Sequence, residues 1–105
     1  VANMIIYIDI DETICKTSEG RDYSKAEPIE NNIAKANRLY ENGHTIVYWT
    51  ARGTTTGIDW RELTESQFVK WGVKYHDLKF GKPQYDIFID DKNINTVDWP
   101  EDLFS

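Results

Sequence analysis

Apolar positions along the chain fall into three short β-branched or aromatic runs, separated by two stretches with helical spacing. Residues 4–8 (MIIYI) form the first run and predict a strand. Residues 13–27 are polar, contain Gly20 and scattered charges, and read as a loop or flap. Pro28 suits the first turn of a helix. Ile29, Ile33, Ala36, Leu39 and Tyr40 then recur at helical spacing until Gly43 marks a stop. Residues 45–49 (TIVYW) form the second run, expected to be a strand buried on both faces. Residues 59–71 are helical by pattern, with Leu63, Phe68 and Trp71 facing the core and Gly72 closing the end. A short strand is expected at 73–75 and a strong third one at 85–89 (YDIFI). In the tail, Val97, Trp99, Leu103 and Phe104 are expected to cover one edge of the sheet.

Strands alternating with helices predict an α/β domain built on a mainly parallel sheet. Ligands of such sheets bind beyond the carboxyl ends of the strands. The notable polar residues fall there: Asp9 and Asp11 after the first strand, Thr50 after the second, Asp90 and Asp91 after the third. No repeat, low-complexity segment or linker divides the chain into two cores.

The chain has 105 residues, enough for one hydrophobic core, and its four Trp, six Tyr and four Phe supply large core side chains. A net charge of −6 without any basic run argues against nucleic acid and against a membrane surface as partners. Cys15 stands alone, so no internal disulfide forms, which fits a cytoplasmic location. No segment reaches the roughly 20 apolar residues that span a bilayer. Residues 1–3 precede Met4, which reads as the native initiator, and are taken as an expression remnant.

Asp9 and Asp11 are two residues apart, so on a strand their carboxylates point the same way. Like charges so placed repel and lose hydration, and a cation must compensate. Together with Asp90 and Asp91 they form an oxygen-rich set suited to Mg²⁺, and no His or Cys spacing competes for zinc. A carboxylate can also attack phosphorus to form an aspartyl-phosphate, while a neighbouring acid moves the proton. Asp9 is the expected nucleophile and Asp11 the acid–base. Thr50 offers a hydroxyl and Lys82 a positive charge, aimed by Pro83, which holds the preceding residue extended. Lys79 is a weaker candidate for that role. Arg52 fits a phosphate contact and an ion pair with a nearby carboxylate equally well.

Taken singly, each motif has a plain structural reading: the aspartates cap a helix or start a turn, Thr50 satisfies backbone, and Lys82 is a solvated charge. Jointly and in order, DIDET, WTAR, GKP and IDD resemble the haloacid dehalogenase (HAD) superfamily of phosphohydrolases over 9–91. The resemblance implies a single Rossmann-like three-layer α/β domain over 1–105, too short in its loops for a cap domain. It implies a Mg²⁺-dependent phosphomonoester hydrolase with Asp9 as nucleophile and Asp11 as general acid–base. Thr50 and Lys82 match its phosphate-binding residues. The metal would be held by Asp9, the main-chain carbonyl of Asp11, and Asp91 backed by Asp90, with the last two able to exchange roles. Glu12 departs from the pattern, standing where many members carry glycine.

The longer segments DYSKAEPI, WTARG, FGKP and IDDK resemble small members associated with bacterial surface-polysaccharide synthesis, which implies a phosphorylated small-molecule substrate, in particular a sugar phosphate. Two rivals remain. A receiver-type signalling domain uses similar residues, but places its lysine last, whereas Lys82 precedes Asp90 and Asp91. A degenerate, non-catalytic binding module of the same fold would keep the shape without turnover.

Overall fold

The computed structural model describes residues 3–17 and 22–104. Val1 and Ala2 lie outside the described residues, as do Ser105 and 18–21 in the middle of the expected flap. In chain order the elements are β1 (Ile5–Ile8), β2 (Cys15–Lys16), a 3₁₀ turn (Tyr23–Lys25), β3 (Glu27–Pro28), helix α1 (Glu30–Glu41), β4 (Thr45–Thr50), helix α2 (Arg61–Trp71), β5 (Asp77–Phe80) and a second 3₁₀ turn (Thr96–Asp98). The result is a small α/β domain with a parallel three-stranded sheet and two helices.

β4 is the centre of that sheet, with β1 on one side and β5 on the other, both parallel to it. Register sets Ile8 beside Tyr48, and Tyr48 beside Leu78, so one face of the sheet carries a continuous apolar row. The strand order advances in one direction, and crossovers of the favoured right hand then set both helices on the same face. Ile33 and Leu39 from α1 and Phe68 from α2 accordingly join Ile46, Tyr48 and Leu78 in one core. The opposite face bears Tyr7, edge-on to Trp49 at 6.0 Å, with the Lys79 ammonium donating to the Tyr7 hydroxyl at 3.1 Å. Ile5 on that face is 72% exposed. The described helices thus make two layers with the sheet.

Several boundaries differ from expectation. Pro28 does not open α1; it ends β3, which pairs antiparallel with β2 at the base of the flap, Cys15 beside Pro28. Ile29 takes the position before α1 and makes no side-chain cap. Gly72 does close α2, in the left-handed conformation at φ 70. The strand expected at 73–75 forms instead at Asp77–Phe80, where it can pair with β4.

The largest correction is at 85–89, which forms no strand. Ile87 and Ile89 are exposed, the latter at 93%. Local contacts stand in for pairing: the Lys82 ammonium lies 5.2 Å from the Tyr85 ring, which packs on Phe88 at 5.2 Å. Strand propensity reflects a fit to neighbouring strands, and a run without a partner need not extend. The tail lies along α1, where Lys35 donates to the Trp99 carbonyl and Arg38 to that of Glu101. Trp99 and Leu103 reach the core, whereas Val97 is exposed.

Candidate functional site

The carboxyl ends of the three strands meet, and the chain pins them by backbone bonds. After β5, Gly81 turns the chain at φ 89, and the Lys82 amide donates to the Thr50 carbonyl at 3.1 Å. The Thr54 hydroxyl then donates to the Lys82 carbonyl at 2.8 Å. Lys82 is thereby held at the end of β4, and its ammonium lies 3.6 Å from an Asp9 carboxylate oxygen. The side chains of Lys82 and Asp9 are 13% and 36% exposed, so the pair is partly shielded from water but open on one side. Burial pushes the Asp9 carboxyl up; Lys82 opposes this, and the nearby Asp11 charge adds to it. Lys79 points to the far face against Tyr7 and takes no part.

Asp11 sits in a different environment. The Arg52 guanidinium grips it with two bonds, Nε to Oδ2 at 3.0 Å and Nη2 to Oδ1 at 2.9 Å. The Arg52 side chain has no exposure. All its N–H groups have acceptors: two on Asp11, Thr64 Oγ1 at 3.0 Å, Gln67 Oε1 at 2.7 Å and the Cys15 sulfur at 3.7 Å. Burial alone would raise the Asp11 carboxyl. Arg52 outweighs it, with help from the Thr17 hydroxyl at 2.7 Å and the Cys15 thiol, and the carboxyl is held below its usual range. Of the two readings open for Arg52, the structure forms the ion pair. Its guanidinium has no N–H left for phosphate.

Thr50 is buried; its hydroxyl accepts from the Arg52 amide at 3.1 Å and retains its own proton to donate. Asp90 and Asp91 are exposed; the neighbouring Asp91 carboxyl, with which Asp90 can share a proton, and the Lys92 charge lower the Asp90 carboxyl. They do not join Asp9 and Asp11. Among the described residues no three His, Cys, Asp or Glu side chains gather closely enough to hold a metal ion. Among the described residues the four carboxylates do not gather, and the 85–89 segment, expected to end as a strand at Asp90 and Asp91, forms none. Arg52 occupies the Asp11 carboxylate and not the main-chain carbonyl that the resemblance assigns to the metal.

Glu12 stands in the left-handed region at φ 64, where glycine carries no steric cost. Its amide donates to the Cys15 carbonyl and its carboxylate accepts from the Thr17 amide, closing the turn after Asp11. Cys15 is buried, and burial pushes its thiol up to about 12. His44 and His76 are structural: each Nδ1 accepts a backbone amide, from Met4 and Ile46 respectively.

Thr17, Thr64 and Gln67 were not evident as site residues from sequence. The only signal was a pair of polar residues, 64 and 67, on the face of α2 that also carries Phe68. Beside the site lies a cavity of about 160 Å³ lined by Gly53, Thr54, Ile58, Asp59, Trp60 and Phe80, among others. A Cβ on Gly53, at φ 80, would sit 2.1 Å from the Ile58 carbonyl oxygen, so this loop closes on itself only with glycine there.

No family model matches the chain, and no curated protein matches it. The fold is similar to that of a structural-genomics target from Vibrio cholerae, with a TM-score of 0.79 at 24% identity over 91% of this chain and 85% of that one. At that identity the likeness concerns the fold. Among the described residues no helix is long and apolar enough to cross a membrane.

Proposed function

We propose that the chain is a phosphomonoester hydrolase of the HAD type that works through an aspartyl-phosphate on Asp9. The observation that carries this reading is the meeting of Asp9 and Lys82 at 3.6 Å beyond the ends of parallel strands, open to solvent on one side. Asp9 Oδ attacks phosphorus, the bond to the leaving oxygen breaks, and the phosphoryl group passes to the carboxylate. The Lys82 ammonium faces the charge that builds on the phosphoryl oxygens. Asp11, held ionised by Arg52, is suited to take the proton of the water that then cleaves the aspartyl-phosphate. Protonating the leaving oxygen in the first step requires Asp11 to gain a proton against Arg52.

Magnesium belongs to the same proposal through the sequence resemblance, and the ligands expected to complete its seat are Asp90 and Asp91. The Rossmann-like three-layer arrangement also belongs to it, and needs a layer over Tyr7 and Trp49. A phosphorylated small molecule, a sugar phosphate of surface-polysaccharide synthesis above all, is the substrate class the resemblance favours. A cytoplasmic location fits the single buried thiol.

The test is phosphate release from a panel of sugar phosphates, nucleotides and phosphopeptides, with and without Mg²⁺. Wild type should release phosphate and Asp9→Asn should not. Retained turnover in Asp9→Asn would exclude Asp9 as the nucleophile. A phosphorylated Asp9 lasting for hours without turnover would favour the receiver-type reading, and no turnover of any ester would favour the binding module.

A further inference from the structure

Helix α2 turns two polar side chains, Thr64 and Gln67, into the protein beside Phe68. A buried amide is tolerated when both its ends are bonded, and Gln67 meets this in an unusual way. Its Oε1 accepts from Arg52 Nη1 at 2.7 Å, while its Nε2 donates to the Tyr23 carbonyl at 2.6 Å. One amide thus holds both the guanidinium that grips Asp11 and the main chain of the 3₁₀ turn in the flap. The Tyr23 ring lies 4.7 Å from the same guanidinium and edge-on to Trp60 at 5.1 Å. Thr64 completes the frame, accepting from Arg52 and donating to the Trp60 carbonyl at 2.7 Å.

We propose that Gln67 is a positioning residue that ties the seating of the Tyr23–Lys25 turn to the aim of Asp11, acting through Arg52. The inference rests on the phosphatase reading for what Asp11 does, though not for the tie itself. With the turn seated, Gln67 cannot rotate, Arg52 has one fixed set of acceptors, and the Asp11 carboxylate is clamped. When this turn lifts, the Tyr23 carbonyl and ring leave together. Gln67 Nε2 is orphaned, the amide turns, and Arg52 loses both a fixed acceptor and the ring against its plane. Asp11 then loses its single orientation. Proton transfer needs heavy atoms within hydrogen-bond reach, and a displacement of about 1 Å costs up to about 10²-fold in rate. A substrate that leaves the Tyr23–Lys25 turn seated would therefore be turned over faster than one that displaces it, at similar affinity for the phosphate.

Two variants separate the halves of the tie. Gln67→Glu keeps an acceptor for Arg52 but presents the Tyr23 carbonyl with no donor. Gln67→Leu removes both bonds. Val69→Ala, on the exposed side of α2, controls for helix stability. Three quantities are read: hydrogen exchange of the Lys25 and Ala26 amides, which bond to Asp22 and Tyr23 in the 3₁₀ turn; the rate at which Ellman's reagent labels Cys15, which packs on Asp11 and Arg52; and kcat and KM with p-nitrophenyl phosphate.

Gln67→Glu should speed exchange in this turn and Cys15 labelling while β4 amides stay protected, and lower kcat by about tenfold or more with KM within about twofold. Gln67→Leu should do the same, and Val69→Ala should match wild type. Unchanged exchange in the turn in both variants overturns the proposal. So does a freed turn that leaves Cys15 labelling and kcat as in wild type. If wild type hydrolyses nothing, the phosphatase reading falls, and exchange in the turn with Cys15 labelling in Gln67→Glu still decides the tie.

Discussion

Replacing Arg52 with alanine should be among the most damaging single changes to this domain, and the structure says by how much and under which conditions. The change deletes both bonds to Asp11, leaves Gln67 Oε1 without its donor, and uncovers the Tyr23 ring. Removing one partner of a buried ion pair costs about 3–5 kcal/mol, because the other charge stays behind uncompensated. The Asp11 side chain is 17% exposed and keeps the Thr17 hydroxyl, so water and Thr17 relieve part of this, and about 3 kcal/mol is expected. For a domain of this length, each kcal/mol lowers Tm by roughly 4 °C or more, so the fall should be about 12 °C or more.

The cost must also depend on pH. In wild type the Asp11 carboxyl lies below 3.8, so its ionised form adds stability that is present above that value and lost as pH falls through the lowered one. Without Arg52, burial is the largest influence left and pushes the carboxyl upward. The ionised group then destabilises the fold, and acid relieves it. The gap between wild type and Arg52→Ala in urea unfolding should therefore be widest near neutral pH and narrow towards pH 3.8. In an Asp11→Asn background, Arg52→Ala should cost at least about 2 kcal/mol less than in wild type. A loss below about 1 kcal/mol, the range of exposed ion pairs, or a gap indifferent to pH, would refute the reasoning.

Other perturbations test the neighbouring parts. Asp9→Asn should hold or raise Tm near neutral pH, since burial makes the ionised Asp9 a burden on the fold despite Lys82, and the gain should vanish as acid protonates Asp9 in wild type; a Tm drop of several degrees would contradict this. Lys82→Ala should weaken phosphate binding and turnover together, and unchanged kinetics would remove Lys82 from the site. Gly53→Ala should cost about 2 kcal/mol or more by urea unfolding, because the added Cβ meets the Ile58 carbonyl in a left-handed backbone. A neutral result would mean that the loop has another conformation of similar energy.

Much of the sheet could be read from local pattern, and what escaped it was pairing. Residues 4–8 and 45–49 announced β1 and β4 because β-branched and aromatic runs favour strands, although Ile5 and Tyr7 of β1 stay exposed on the uncovered face. Asp77–Phe80 lacks that signature, yet forms β5 because it lies where β4 offers an edge. Residues 85–89 carry the signature without the partner, and their apolar side chains stay outside. The same limit governs the site. Asp9, Asp11 and Lys82 were legible as residues at the ends of elements, a position that spacing fixes. Gathering Asp90 and Asp91 beside them depended on a strand that the structure does not form. The engagement of Arg52 by Gln67 joins residues 15 positions apart and depends on the rotation of α2 against the sheet, which no sequence motif encodes.

Tyr48 sits at the middle of this core with no exposure, between Phe68 and Tyr75, and its hydroxyl has no partner among the described residues. An unmet hydroxyl of this kind carries a penalty of about 1–3 kcal/mol, which any opening that admits water refunds. Opening of the seam between α2 and the central strand is eased by that amount. Because Phe68 and Gln67 are consecutive in the chain, a breath of that seam is felt at once in the polar frame around Arg52, and an unmet hydroxyl in the core becomes a neighbour of the most fully engaged charge.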